Sequence, residues 1–417
     1  MPAITRALAL IAWVLCSFPA RADAPEAQVL DLSETQRLAL ERQPLLGAQD
    51  ARVRAASERA VAAGRLPDPE LLAGFDNLSV TTLDPYAADA ERMTMTRFGL
   101  MQEFPNAARR DAQRRQQHLL SDVAQAEREA LARDVTREAA LAWIDLWQSS
   151  QAAALVEALA GEARRMRNAT GIDYRSARSE QGAVHEAAIR LALLEDRRQQ
   201  LQQDEAAARA RLARWIADDA QRPVAIALPT PGPLPPLANV LAALDRHPEL
   251  RSGERSADAS AAAIDLARAA YRPDWRVQAS YGYRRPYDDM VSVEVGIDLP
   301  WFTANRQDRE LAAAQAEHEA ASASLDDRRR ELRAALETAW RNSAALEQRL
   351  VRYDAELLPA AAARSDVALA AYRSARGTLA DLLDARSGAL DLQLMQLELR
   401  AELQRQRAQL AWLFPEN

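Results

Sequence analysis

The sequence has no lysine, a single cysteine, few glycines and few aromatic residues. All 53 basic residues are arginine, and glycine accounts for only 13 of the 417 positions. Aromatic residues make up 5% of the chain. This composition, with long stretches rich in Ala, Leu, Arg, Glu and Gln, disfavours an all-β or doubly wound domain and predicts long helices.

Motifs for catalysis and cofactor binding are also missing from the sequence. It contains no HExxH, CxxC or GxSxG motif and no phosphate-binding glycine loop. The four histidines are isolated along the chain, so zinc ligands at the usual spacing are absent. A formal net charge of −7 disfavours nucleic-acid binding. We therefore expect no enzyme, no cofactor, no resident metal and no nucleic-acid partner.

Three methionines, Met93, Met95 and Met101, alternate along a predicted strand. Thioethers are ligands for soft metals, but alternating methionines on a strand more often belong to an apolar face. We interpret them as an apolar face.

Residues 1–22 have the order of a secretory signal: Arg6, an apolar run at 7–18, and Ala20-Arg21-Ala22. Leu15 precedes Cys16 where a lipoprotein signal needs a small residue, so we do not expect lipidation of Cys16. After residue 22 the sequence has no run of about 18 apolar residues, so any membrane crossing would need β-strands.

Most of the chain is one unit written twice. Tyr-Arg-Ser-Ala-Arg occupies 174–178 and recurs at 372–376, 198 residues later. At nearly the same offset, four further pairs match, namely Trp143 with Trp340, Trp215 with Trp412, Gly99 with Gly296, and Arg109 with Arg306. We read the four tryptophans as packing residues. Residues 23–226 form the first repeat, 227–237 a proline-rich linker, and 238–417 the second repeat.

Both repeats predict the same order of elements: a helix, two strands and a long helical hairpin. In the first repeat, which opens with a helix at Ser33, we expect strands at about 69–83 and 92–104 and a hairpin at 106–218. In the second we expect strands at about 274–285 and 289–300 and a hairpin at 303–414. Gly161 and Pro359 lie 198 residues apart, which predicts a helix interruption in each hairpin.

Neither the hairpins nor the strands can bury their apolar surfaces and pair their edges within one chain. Helices of about 60 residues are rods of roughly 90 Å, whose apolar stripes need neighbouring chains for burial. Four strands per chain are half of the smallest closed membrane barrel, which has about eight, and open edges are not tolerated in lipid. The predicted fold class is therefore mainly α with a transmembrane β-barrel portion that other copies complete. A small soluble sheet is the alternative.

This arrangement resembles the TolC family of outer-membrane efflux proteins. The resemblance is carried by Ile297-Asp-Leu-Pro-Trp-Phe302 with Asn305-Arg306, by Gln102-Glu-Phe-Pro105 with Arg109-Arg110, and by the stretch 372–385, YRSARGTLADLLDA. It implies a homotrimer in outer-membrane lipid with twelve strands in one barrel and twelve helices in a periplasmic tunnel. It also implies a periplasmic adaptor (membrane fusion) protein and an inner-membrane RND pump as partners. Within the family, the sequence resembles the branch that serves RND-type heavy-metal cation efflux.

Candidate functional residues follow from the resemblance. Asp381 and Asp384, with Glu186 at the matching first-repeat position, correspond to a pore constriction; solvated carboxylates, or ion pairs with Arg386 and Arg376, are the alternative. The adaptor-contact tips correspond to Arg178, Ser179 and Glu180 and to Arg376, Gly377 and Thr378. Aromatic residues at the membrane interface are Trp275, Tyr281, Tyr283 and Trp301, although burial of Trp301 and Phe302 against a helix is equally compatible.

Two other functions are compatible with the sequence. A drug, multidrug or type I secretion channel would share the same architecture. A soluble periplasmic coiled-coil adaptor or scaffold would share the signal and the hairpins, but it would not need two pairs of amphipathic strands.

Overall fold

The computed structural model describes residues 29–80, 92–175, 181–374 and 376–414. The predicted signal at 1–22 and the first tip at 178–180 lie outside the described residues. Two short helices open the first repeat, α1 at Leu32–Arg42 and α2 at Pro44–Ala62. Helix α1 begins one residue before the predicted start at Ser33. Asp31 caps it, because its Oδ1 accepts a hydrogen bond of 2.7 Å from the Glu34 amide.

Four antiparallel strands form one sheet in the order β1-β2-β3-β4. Their bounds are Glu70–Asp76, Met95–Phe104, Trp275–Tyr283 and Met290–Ile297. Each repeat contributes one pair, and the two pairs join where β2 runs beside β3, with Phe98 opposite Tyr281. The strands are shorter than expected, most of all β1, which ends at Asp76. The prediction of a mainly α chain with four strands is confirmed.

Long helices make up the rest of each repeat. In the first repeat α3 spans Ala107–Arg175, 69 residues, and α4 spans Gln181–Ile216. At about 1.5 Å per residue, α3 is a rod of about 100 Å. The second repeat contains α5 at Leu237–Ala243, α6 at Pro248–Ala269, α7 at Gln307–Arg352, α8 at Leu358–Arg373 and α9 at Leu379–Leu413. None of the helices in the described ranges combines the length and apolarity that a membrane crossing requires.

The expected helix interruptions occur in only one repeat. Tyr353–Leu357 forms a π-helical turn between α7 and α8, directly before Pro359. The wider turn accommodates a residue that has no amide hydrogen and would collide with the preceding turn. In the first repeat α3 continues through Gly161, so the prediction there is wrong. A glycine costs a helix only about 1 kcal/mol, and the packing of so long a helix outweighs that.

Tryptophans fasten the connecting segments to the helices. Trp143 is fully buried in the main core and donates its indole hydrogen to the Leu30 carbonyl at 3.0 Å. Its repeat counterpart Trp340 donates to the Pro235 carbonyl in the linker at 2.8 Å. The equivalent indoles therefore hold an extended segment against the long helix in each half of the chain.

Candidate functional site

The strand register divides the sheet into two chemically different faces. Neighbouring residues on one face are apolar across all four strands, as in the rows Ala73, Phe98, Tyr281, Val291 and Leu71, Leu100, Ala279, Val293. These side chains are open to the surroundings, with Leu71 80% and Val291 75% exposed. An apolar surface of this extent is unusual on a soluble monomer and marks an interaction surface.

The opposite face of the sheet is polar. It carries the following alternate residues: Asp76, Arg97, Glu103, Arg276, Gln278, Ser280, Ser292 and Glu294. Arg97 Nε lies 3.1 Å from Asp76 Oδ2, and Arg276 Nη1 lies 3.8 Å from Asp298 Oδ1. The sheet thus presents hydrocarbon on one side and ion pairs, amides and hydroxyls on the other.

Glycines on the polar face make room for two long side chains. A Cβ atom at Gly282 would collide with Met95 Sδ, and one at Gly296 would collide with Arg276 Nε. Met95 and Arg276 therefore lie across the neighbouring strand, over Gly282 and Gly296.

The methionines do not form the apolar face that the sequence suggested. Met95 and Met101 share the polar face with Arg97, while Thr96, Phe98 and Leu100 occupy the apolar one. Because β2 has apolar residues on both sides, alternation alone assigned the wrong face. The described residues contain no group of three or more His, Cys, Asp or Glu able to hold a metal ion.

A polar clamp joins the repeats where the sheet passes into the helices. The Asn106 amide and side chain both donate to Asp274 Oδ1, at 2.7 and 2.9 Å, and Arg109 Nη1 reaches Oδ2 at 2.7 Å. The sequence singled out Arg109 through the repeat, but Asp274, 165 residues later, carried no local signal.

The second tip is organised by the cap of α9. Thr378 Oγ1 accepts from the Asp381 amide at 3.1 Å, and Asp381 Oδ2 accepts from the Thr378 amide at 3.0 Å, which is a capping box. The Thr378 hydroxyl, which donates to Asp381 Oδ2 at 2.7 Å, and then the Thr378 amide hold the pKa of Asp381 below its ordinary value. Gly377 is favoured by a close approach rather than by a positive φ, since a Cβ atom there would lie 3.0 Å from the Ala371 Cβ.

Two of the three predicted constriction residues, Glu186 and Asp384, contact the same arginine. Arg190 of α4 forms an ion pair with Asp384 of α9, and its Nη2 lies 3.9 Å from Glu186 Oε1. Asp384 thus pairs with neither Arg386 nor Arg376; Arg386 lies 3.9 Å from Glu162 instead. The structure brings Glu186 and Asp384 together, whereas Asp381 serves the helix cap one turn away.

A buried histidine was missed by the sequence reasoning, which treated His247 as isolated. His247 is fully buried and packs edge-on against Trp412 at 4.8 Å. Its Nδ1 accepts from the Glu249 amide at 3.3 Å and so caps α6. Burial, followed by the nearby Arg133, lowers the pKa of His247 to about 4. The available signal was the repeat, because Arg42-Gln43-Pro44 corresponds to Arg246-His247-Pro248, 204 residues later, and Gln43 caps α2 in the same way.

The aromatic residues predicted at an interface are exposed. Trp275, Tyr281 and Tyr283 lie on the apolar face of β3 with exposures of 48, 45 and 41%. Trp301, beyond the end of β4, is 76% exposed and Phe302 is 86% exposed, so neither is buried against a helix within the described chain.

Comparisons with known proteins agree with this architecture. Residues 240–414 match the family described as outer membrane efflux protein. No curated protein matches the sequence. Among solved structures, the chain is similar to VceC from Vibrio cholerae, with a TM-score of 0.77, 19% identity, and coverage of 92% of this chain and 95% of that chain.

Two further structures share the fold at lower identity. The CmeC outer-membrane channel of Campylobacter jejuni has a TM-score of 0.79 at 11% identity, covering 92% of this chain and 85% of that one. CusC has a TM-score of 0.76 at 15% identity, covering 92% of each. Proteins of this family are outer-membrane ducts with a periplasmic helical part, not enzymes. The second repeat thus matches the outer membrane efflux protein family over residues 240–414, and the described chain has the fold of outer-membrane channels such as CmeC.

Proposed function

We propose that this chain is the channel subunit of a tripartite efflux system, and that three copies close their sheets into one twelve-stranded outer-membrane barrel. The observation that carries the proposal is the two-faced sheet. Its apolar face suits lipid and its polar face suits an aqueous passage, as in membrane barrels. The outer edges of β1 and β4 have no partner strand among the described residues, so neighbouring copies would supply the missing hydrogen bonds.

The aromatic residues fit this placement. Trp275 stands at one end of β3, and Tyr281 and Tyr283 stand near the other. Amphipathic rings at the two ends of an apolar band are expected at the two interfaces of a bilayer. Trp301, beyond β4, belongs to the same end as Trp275.

The helices would form the periplasmic conduit and carry the contacts with partners. We propose that a periplasmic adaptor docks at the two tips, Arg178 to Glu180 and Arg376 to Thr378, and that an inner-membrane RND pump delivers the substrate. The capped turn at Thr378 supports the second tip as a defined surface. The channel itself is a passive exit duct.

Heavy-metal cations are our proposed substrates. Support comes from the constriction residues, since two carboxylates, Glu186 and Asp384, share the single Arg190. Each copy then contributes one uncompensated negative charge, and three copies would form a ring that favours cations. A channel for drug or protein export is the competing assignment. The two are separated by measuring the sensitivity of a deletion strain to heavy metals and to a panel of drugs: increased metal sensitivity supports metal export, and increased drug sensitivity alone supports drug export.

The membrane position is tested by two substitutions on adjacent residues of β4. Val293 is 70% exposed on the apolar face, and Ser292 is its neighbour on the polar face. An arginine on the lipid side of a barrel costs about 2–4 kcal/mol near the bilayer midplane, whereas lumen positions tolerate charge. We expect Val293→Arg to abolish the heat-sensitive trimer in outer-membrane fractions, and Ser292→Arg to keep it.

Two outcomes would overturn the channel assignment. Wild-type protein found as a monomer in the soluble periplasmic fraction would favour a coiled-coil scaffold. Equal membrane assembly of both variants would show that the apolar face does not meet lipid.

A further inference from the structure

Arginines converge on a cleft between the start of α3 and the end of α6. The cleft has a volume of about 740 Å³ and is lined by Asp111, Arg114, Arg115, Asp265, Arg268 and Arg272. Four arginines face two aspartates, so the lining carries a net charge of +2. We call this feature the arginine cleft.

The ion pairs of the arginine cleft leave positive charge available. Arg115 and Arg268 share one carboxylate, at 3.5 and 3.4 Å from the two oxygens of Asp265. Arg272 is exposed and has no carboxylate within ion-pair distance among the residues that the structure describes. Guanidinium groups with free donors are well suited to phosphate, which they bind in a forked geometry.

The cleft lies at the periplasmic edge of the head-group layer of a bilayer. Its α3 residues belong to the first turns after Ala107, so at about 1.5 Å per residue they lie within roughly 12 Å of the sheet. The sheet end is marked by Phe104 and Trp275 on the apolar face. Lipid head groups occupy about 5–8 Å beyond the hydrocarbon on each side. Arg114 and Arg115 lie about 10–12 Å along α3, just outside that layer, and arginine side chains are long enough to reach back into it.

The cleft also opens on the lipid side. Asp274 precedes Trp275 and continues the alternation of β3, so it lies on the polar side, where Arg109 binds it at 2.7 Å. At 3.6 residues per turn, Asp111 is about 200° and Arg115 about 240° around α3 from Arg109. The arginine cleft therefore faces away from the polar side of the sheet.

From these observations we infer that the arginine cleft binds the phosphate of an anionic phospholipid head group in the periplasmic leaflet. This inference rests on the proposed membrane position. It adds a lipid ligand that holds the junction of sheet and helices at a fixed depth.

The test measures lipid binding to the purified full-length protein in detergent by native mass spectrometry. The ligands are phosphatidylglycerol, phosphatidylethanolamine and inorganic phosphate. We expect phosphatidylglycerol to bind at least about ten-fold more tightly than phosphatidylethanolamine, and the triple variant Arg115→Gln, Arg268→Gln, Arg272→Gln to lose that preference. The control triple Arg128→Gln, Arg251→Gln, Arg255→Gln, on the same two helices farther from the sheet, should keep it.

A variant of opposite sign protects the test against misfolding of the triple variant. Asp265→Asn removes the carboxylate that Arg115 and Arg268 share, so phosphatidylglycerol should bind more tightly. Unchanged binding in the cleft triple, equal loss in the control triple, or inorganic phosphate binding as tightly as the lipid would each overturn the proposal. Failure of the channel assignment would appear differently, as wild-type protein that does not assemble in membranes.

Discussion

Protonation of His247 is predicted to loosen the junction of α3, α6 and α9. His247 is fully buried against Trp412, and three cations surround it. Arg133 donates to the Trp412 carbonyl at 3.1 Å, Arg137 stacks over the Trp412 ring at 4.1 Å, and Arg328 pairs with Glu249. The nearby carboxylates Asp134 and Glu249 are each paired with one of these arginines, Asp134 with Arg137 and Glu249 with Arg328. A charged imidazole in this position is therefore disfavoured.

The sign and size of the effect follow from the pKa of His247, which falls from 6.5 to about 4 on folding. Between these values the unfolded chain binds the proton and the folded chain does not, so lowering the pH favours unfolding. One pKa unit corresponds to about 1.4 kcal/mol, so the loss between pH 7 and pH 4.5 is about 2 kcal/mol. Burial raises the pKa of Asp134, which gives a slope of opposite sign, but that slope is common to wild type and a His247 variant.

The first repeat supplies the replacement for this experiment. Gln43 occupies the matching position and caps α2 through its side-chain oxygen at 3.5 Å from the Leu45 amide, so His247→Gln preserves a cap and removes the titrating group. The assay is the denaturant midpoint of helix unfolding, followed by circular dichroism in detergent from pH 7.5 to 4. Midpoints of wild type and variant should diverge as the pH falls, with the wild type losing more. The exposed His118→Gln serves as control and should run parallel to wild type. Parallel curves for His247→Gln as well would refute the burial argument.

Two other predictions concern the constriction and the core. Asp384→Asn should weaken the cation selectivity of the reconstituted pore. Arg190→Gln, which leaves both Glu186 and Asp384 without this arginine, should strengthen it. The assay is the reversal potential in a salt gradient, and shifts of the two variants in the same direction would contradict the charge assignment. Trp143→Phe removes the indole hydrogen bond to the Leu30 carbonyl, which keeps the Ala225 amide as its other donor, so it should lower the free energy of unfolding by about 0.5–1.5 kcal/mol. The Trp340 indole is partly exposed, so Trp340→Phe should lower the free energy of unfolding by less in the same assay.

The sequence by itself determined the architecture of this chain, because the relevant signals are local or periodic. The internal offset near 198 residues indicated two equivalent units. The sequence VSVEVGIDL at 291–299, in which apolar and polar residues alternate, predicted the strand β4. The composition fixed long helices, and Pro359 marked a real change of helix geometry. Each of these depends on residues close in sequence or on a pattern that repeats.

Only the tertiary structure decided which groups meet. The pairing of β2 with β3 joins strands far apart in sequence, and it placed Met95 on the polar face rather than the apolar one. The ion-pair partner of Asp384 is Arg190, on a helix of the other repeat. The local sequence around Asp384 pointed to Arg386 instead, because residues far apart in sequence leave no local signal. His247 looked like any lone histidine until α9 placed Trp412 against it. Ion pairs, buried polar groups and the arginine cleft depend on which helices pack side by side, and that choice is made by the whole set of apolar contacts rather than by any local motif.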